Sequence, residues 1–252
     1  MEPQLLHSVA DSVATVVVHH PARRNAMTAD MWRALPPLLD RLAADPAVRV
    51  LVLTGAGGTF CAGADITGLL DAPDEARDLA VAAEEALAGF PKPTLAAVRG
   101  YCVGGGAQLA AACDLRFAEE GALFGVTPAK LGIVYRASST RRLVALVGPA
   151  TAKYLLFSGE LIDSARALRT GLVDEVLPEG ELGKRVAEFT RTLAARSLLT
   201  QASAKEFAGG RTDRDAHWEA QARASGDGAE GVTAFLERRA PEFGWTVPGS
   251  AP

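Results

Sequence analysis

The stretch Gly100-Tyr101-Cys102-Val103-Gly104-Gly105-Gly106-Ala107-Gln108-Leu109 decides how the rest of this chain is read. Before it, Thr94 to Val98 reads as a strand. After the glycines, the Ala-rich run reads as a helix. The glycines therefore stand at a helix N-terminus, where free N–H groups and the macrodipole favour developing negative charge. About forty residues earlier, Phe60-Cys61-Ala62-Gly63-Ala64-Asp65-Ile66 follows another apolar run, Val48 to Leu53. Both loops keep side chains small where the backbone must come close to something. Together they could aim two backbone N–H groups at one oxygen. Other readings stay open. A glycine-rich turn needs no ligand, and tight helix–strand packing also demands glycine. Gly55-Ala56-Gly57-Gly58 follows a strand as a dinucleotide phosphate loop would, but Phe60 stands where that pattern needs its last glycine.

The alternation of buried strands and helices around these loops argues an α/β fold with mostly parallel strands. Val13 to His19 is a β-branched strand closed by His20-Pro21. Thr28 caps a helix through Trp32, Leu35, Leu38, Leu39 and Leu42, in which Pro36-Pro37 leaves room for a break. Asp71 to Phe90 reads as a helix, Leu115 to Ala118 as a strand, and Ser138-Ser139-Thr140 as the start of a helix through Leu143, Leu146 and Val147. From about Glu179 the chain becomes helical, and Pro241 to Pro252 reads as a tail with little to bury.

A chain of 252 residues suits one large domain, or one with a small helical appendage. Its 48% hydrophobic and 22% charged residues describe an ordinary globule. A net charge of -4, with no Lys/Arg block, argues against a nucleic-acid partner. Cys61, Cys102 and Cys113 cannot make a disulfide framework and lack metal-ligand spacing, so a reducing cytoplasm is expected. The start MEPQLLHSVA has no basic n-region, and no run reaches the roughly 18 apolar residues of a membrane span. His7, His19, His20 and His217 lie far from both loops in sequence, which favours structural or surface roles.

Several stretches in order carry a family resemblance: Pro21-Ala22-Arg23-Arg24-Asn25-Ala26-Met27, FCAGADI, GYCVGGGAQLAAACDLRFA, FGVTPAKLGI, and Ser158-Gly159 followed after one Glu by LIDSARALRTGLVDEV. On these the chain resembles the enoyl-CoA hydratase/isomerase (crotonase) superfamily. The resemblance implies a crotonase-like spiral of ββα turns over residues 1–190, with a helical C-terminal region over 191–252 that assembles homotrimers or dimers of trimers. It implies an acyl-CoA thioester substrate, with coenzyme A present only as part of that substrate and no metal. The N–H groups of Ala64 and Gly105 would stabilise a thioester enolate. Ala62, Ala64, Asp65, Ile66, Gly104 and Gly105, with Ala26, would lie against the CoA thioester, Ala62 to Thr67 meeting adenine and pantetheine. Arg23 or Arg24 would meet CoA phosphates or face solvent.

The chain also departs from that pattern. Hydratases of the superfamily use two glutamates to hold a water and trade its proton. Gln108 and Pro128 occupy those positions. Asp65, Asp114, Glu119 and Glu120 are the acidic residues nearest in sequence. Of these, Asp114 reads as an anchor of the strand–helix junction, and Glu119-Glu120 as a solvated turn. Val126-Thr127-Pro128-Ala129-Lys130-Leu131-Gly132-Ile133-Val134-Tyr135 is similar to the methylmalonyl-CoA decarboxylase branch, although that branch carries an acid where Gln108 stands and a His where Ala64 stands. On that likeness Thr127 and Gln108 would position a carboxylate and Tyr135 would donate a proton. Arg136 would pair with a substrate carboxylate or face solvent. A non-catalytic acyl-CoA-binding protein is the rival expectation.

Overall fold

A computed structural model describes residues 2–66 and 73–248. The described strands are β1 (Gln4–Ala10), β2 (Val13–His19), β3 (Val50–Gly55), β4 (Thr94–Val98), β5 (Tyr101–Val103), β6 (Leu115–Glu119), β7 (Leu123–Gly125), β8 (Leu161–Asp163) and β9 (Glu175–Leu177). The helices are α1 (Ala29–Ala44), α2 (Pro73–Ala88), α3 (Gly105–Ala112), α4 (Ala137–Ser158), α5 (Ser164–Thr170), α6 (Leu182–Ala194), α7 (Leu198–Ala208), α8 (Asp215–Ser225) and α9 (Asp227–Glu237).

Two sheets stack side by side. The larger runs β1-β2-β3-β4-β6-β9, parallel except for the β1–β2 hairpin. The smaller runs β5-β7-β8. Each turn of chain places one strand in the large sheet and a short extended piece in the second layer before its helix. β4 and β6 pair in the first layer, and β5 and β7 pair in the second. The second layer continues backward through parallel bridges Cys61–Cys102 and Met27–Ala64. The result is a spiral of ββα turns, and successive turns bring the ends of their second-layer segments side by side. Ala64 and Gly105 stand at two such ends.

The core follows from the strand pattern. Ala14, Val16 and Val18 alternate inward along β2, while β4 is buried at every position, as a parallel strand covered on both faces must be. One face of the large sheet meets the helices through Leu51, Leu53, Ala96 and Val98. The other carries Val52, Leu95, Ala97 and Phe117 against Leu182 of α6.

Four local expectations change. α1 runs through Pro36 and Pro37 without a break, its buried face Leu35, Leu38 and Leu39 spanning the two prolines. The packing of that face outweighs the two helix bonds that proline cannot make. β1 was not anticipated, because QLLHSVA lacks alternation; as an edge strand it is mostly exposed. Glu119 is no solvated turn: its carboxylate takes Arg99 Nε at 3.2 Å and Gly180 N–H at 3.0 Å. The expected tail buries Trp245, whose ring lies 6.0 Å from that of Trp218 and whose Nε1 donates to Gln221. Asp114 ties its junction as expected, accepting from Thr94 N–H at 2.7 Å and Lys205 at 2.8 Å.

Candidate active site

Backbone bonding fixes where the two loops aim. Gly63 C=O accepts from Met27 N–H at 2.8 Å, and Met27 C=O accepts from Asp65 N–H at 2.8 Å. A trans peptide points its N–H opposite its C=O, so Ala64 N–H is turned away from Met27. Gly104 C=O accepts from Gln108 N–H at 3.0 Å and so points along α3. Gly105 N–H therefore points back out of the helix N-terminus. A methyl placed on Gly63 would lie 3.6 Å from Gly105 N, and one on Gly105 would lie 3.6 Å from Ala64 N. Among the described residues, neither Ala64 N–H nor Gly105 N–H has an acceptor.

Two glycines permit this approach. Gly104 has φ +56°, in the left-handed region that side chains avoid. A Cβ on Gly106 would stand 2.3 Å from the carbonyl oxygen of Cys61, so only glycine lets α3 start against the first loop. Asn25, absent from the sequence-based candidates, braces that loop. Fully buried, it accepts from His20 N–H at 2.9 Å and donates to Ala56 C=O at 2.8 Å and Thr59 C=O at 2.6 Å.

Thr127 and Tyr135 meet at Gly104. A methyl there would lie 3.6 Å from Thr127 Oγ1 and 4.0 Å from the Tyr135 hydroxyl. Pro128 is buried behind them, at the start of a short 3-10 turn. Burial, with the Glu84 carboxylate nearby, holds the Tyr135 phenol above its ordinary pKa. Gln108 is half-buried one turn into α3. Its Nε2 donates at 3.3 Å to Glu84 of α2, a carboxylate 2% exposed. Glu84 also takes the Ser139 hydroxyl at 2.6 Å and a short contact from Arg142. Burial raises its pKa, against the opposing pull of Ser139 and Arg142.

Glu84 corrects the search for acids near in sequence. Asp114 and Glu119 are engaged as described above, Asp65 lies 3.5 Å from Arg23, and Glu120 is exposed. The sequence signal for Glu84 was a carboxylate on the apolar stripe Ala80, Ala83, Leu87 of α2.

The remaining candidates differ in exposure. Ala26 is buried and Ala62 and Asp65 are half-buried, while Ile66 is exposed. Thr67 lies outside the described residues. Arg23 is exposed beside Asp65, and the Arg24 guanidinium sits 4.8 Å over the Tyr101 ring. Arg136 pairs with Asp78 of α2 at 2.8 Å, which holds that carboxyl below its ordinary pKa. The three cysteines are buried; burial pushes the Cys61 and Cys113 thiols up to about 12. Among the described residues no three His, Cys, Asp or Glu side chains gather as a metal site, and no helix is long and apolar enough to cross a membrane. A groove of about 340 Å³ under α6, lined in part by Thr15, Thr54, Arg99 and Thr190, includes none of the loop residues.

Comparison with known proteins gives one answer. A family model described as enoyl-CoA hydratase/isomerase matches residues 8–245. The crotonyl-CoA hydratase of Syntrophomonas wolfei is 34% identical, over 92% of this chain and 95% of its own. The 2,3-dehydroadipyl-CoA hydratase of Escherichia coli is 32% identical, over 95% and 98%. A crystal structure of an enoyl-CoA hydratase/isomerase family member superposes with a TM-score of 0.90 at 38% identity, covering 98% of this chain and all of that one. The enoyl-CoA hydratase of Bacillus anthracis gives 0.87 at 30%, covering 95% and 98%.

Proposed function

The chain belongs to the enoyl-CoA hydratase/isomerase family, and from that premise we propose that it converts an acyl-CoA thioester through an enolate held by the N–H groups of Ala64 and Gly105. One observation carries this reading: two N–H groups on adjacent turns, neither with an acceptor among the described residues, whose nitrogens each lie 3.6 Å from a methyl placed on the facing loop's glycine. Such preorganised donors stabilise charge as it develops on the thioester oxygen. The CoA portion runs past Ala62 to Ile66, with Arg23 at the rim. The helical region from 191 onward serves assembly into trimers, which completes the proposed enzyme.

The acid–base groups differ from the usual glutamate pair, since Gln108 and Pro128 take those places. Neither titrates. Tyr135, held protonated and close to Gly104, gives its proton to carbon, and the phenolate left behind takes up the proton that the attacking water or the substrate carbon releases. The similar proteins from S. wolfei and E. coli are named as hydratases, and hydration or double-bond migration of a 2- or 3-enoyl thioester is the leading reaction here. Loss of carbon dioxide from a malonyl-type thioester is the second reading. It is favoured by the shared approach of Thr127 Oγ1 and the Tyr135 hydroxyl to Gly104, and it needs no water-activating pair.

Incubation of the purified protein with 2-enoyl, 3-enoyl, malonyl-type and saturated CoA thioesters, read by mass spectrometry and by separation of double-bond isomers, tests the proposal. Gain of water or a shifted double bond supports the leading reaction; loss of carbon dioxide selects the second. No conversion of any thioester, with tight binding retained, makes the protein an acyl-CoA binder and overturns both.

A further inference from the structure

Glu84 is a buried carboxylate in contact with Gln108 that the family pattern does not call for, and its bonding explains how Gln108 faces the substrate. Its Oε2 takes Gln108 Nε2 at 3.3 Å and Ser139 Oγ at 2.6 Å. Its Oε1 takes Arg142, which also reaches Glu85 at 3.2 Å. An ionised carboxylate only accepts hydrogen bonds, so it selects the nitrogen end of the neighbouring amide. The carbonyl end, Gln108 Oε1, then has no partner among the described residues. In a helix the side chain leans toward the N-terminus, here toward Gly104 and Gly105.

We infer that Glu84 is a positioning residue that locks the Gln108 amide with its carbonyl oxygen toward the thioester site, so that the site accepts a hydrogen bond there and selects acyl groups that bring a hydroxyl or a water over those that bring a free carboxylate. The inference deepens the proposed function and rests on it. A carboxylate offers only acceptors and would meet another acceptor at Gln108 Oε1; a 3-hydroxyl or a bound water has a proton to give. Ser139 and Arg142 hold the latch closed from α4, and the carboxylate that closes it is 2% exposed, so solvent does not compete for it. Replacing the carboxylate by an amide removes the selection, because either end of Gln108 can then find a partner.

Two measurements test this. In the first, calorimetry compares binding of 3-hydroxybutyryl-CoA and malonyl-CoA to the wild type and to Glu84→Gln. The expected result is a preference for the hydroxyacyl thioester that narrows in the variant by roughly tenfold, within the range that a buried unsatisfied contact spans. A general loss of fold would weaken both ligands together, and Ser139→Ala, which leaves the carboxylate in place, should narrow the preference less. An unchanged preference in folded Glu84→Gln overturns the inference. In the second, the side-chain amide of Gln108 is followed by 15N NMR through a pH titration of the unliganded wild type. The titratable and charged groups facing Glu84 are Glu85 on its own helix, Arg142 on α4 and Tyr135 before it, with Ser139 and Gln108 as neutral contacts. The amide signal should move with a midpoint above the ordinary carboxylate range, and a signal that does not titrate overturns the inference. This second measurement needs no thioester. Failure of both thioesters to bind would thus count against the proposed function, while the titration separately decides what Glu84 does to Gln108.

Discussion

A methyl group on Gly105 would lie 3.6 Å from the backbone nitrogen of Ala64 and 2.9 Å from Cζ2 of Trp32, so that glycine is wedged between the first loop and an indole ring. The position is the first of α3, where proline fits the backbone. This makes a clean comparison available. Gly105→Ala and Gly105→Pro both press a Cβ against Trp32, but only proline loses the N–H. Thioester turnover should fall in the proline variant on the order of 10²–10³ below the alanine variant, the loss that one oxyanion donor typically causes. Equal rates in two folded variants would remove Gly105 N–H from the mechanism.

Tyr135 should behave as a proton donor that stays protonated through the working range. Burial and the nearby Glu84 carboxylate raise its pKa, so no basic limb from this phenol should appear at the pH of ordinary tyrosines. Tyr135→Phe should lower kcat by about 10²-fold or more with KM little changed, as expected on losing a general acid. A pH–rate profile on the thioester that the wild type converts checks both points, and a phenylalanine variant with full kcat would reassign the tyrosine to the pocket wall.

How far the sequence could carry this reading depended on distance along the chain. The two glycine loops were legible because each is local: small residues soon after a strand, and in the second loop directly before a helix. Val13 to His19 and Thr94 to Val98 were legible because their burial follows their own apolar pattern. Glu84 was not, since its partners are 24, 55 and 58 residues away and only the packing of α2 against α3 and α4 brings them together. Trp245 was hidden in a Pro- and Gly-containing stretch whose partner, Trp218, belongs to a separate helix. Arg136 was legible as a charge near the site but not as the partner of Asp78, 58 residues earlier.

Asn25 carries a load out of proportion to its size. Its side chain satisfies one N–H and two carbonyls of the segment leading into the first loop, and its own φ is +59°, a conformation asparagine tolerates better than most residues. Asn25→Ala should destabilise the protein by about 2 kcal/mol or more, because three partly buried backbone groups each lose a hydrogen bond to a fully buried side chain. Denaturant unfolding measures this. An effect within about 0.5 kcal/mol, the usual range of surface changes, would mean that solvent satisfies those groups instead.

Lys92 gives a pH signature unrelated to the active site. Its ammonium is 1% exposed and donates to Asp45 C=O at 2.7 Å and Leu42 C=O at 3.3 Å, closing the C-terminal end of α1. Burial, assisted by Arg49 and opposed by Asp45, lowers its pKa to about 8. In the unfolded chain a lysine titrates near 10.4. Between these values the unfolded chain holds a proton that the folded protein does not, so this group makes stability rise with pH across that window. Below about pH 8 both states are protonated and the contribution is constant. Relative to Lys92→Met, which cannot titrate, the wild type should therefore gain stability between pH 8 and about 10, measured as the difference in denaturant midpoints. A difference that stays flat across that interval would mean that the two carbonyls hold the ammonium charged, with the helix end compensating for its burial.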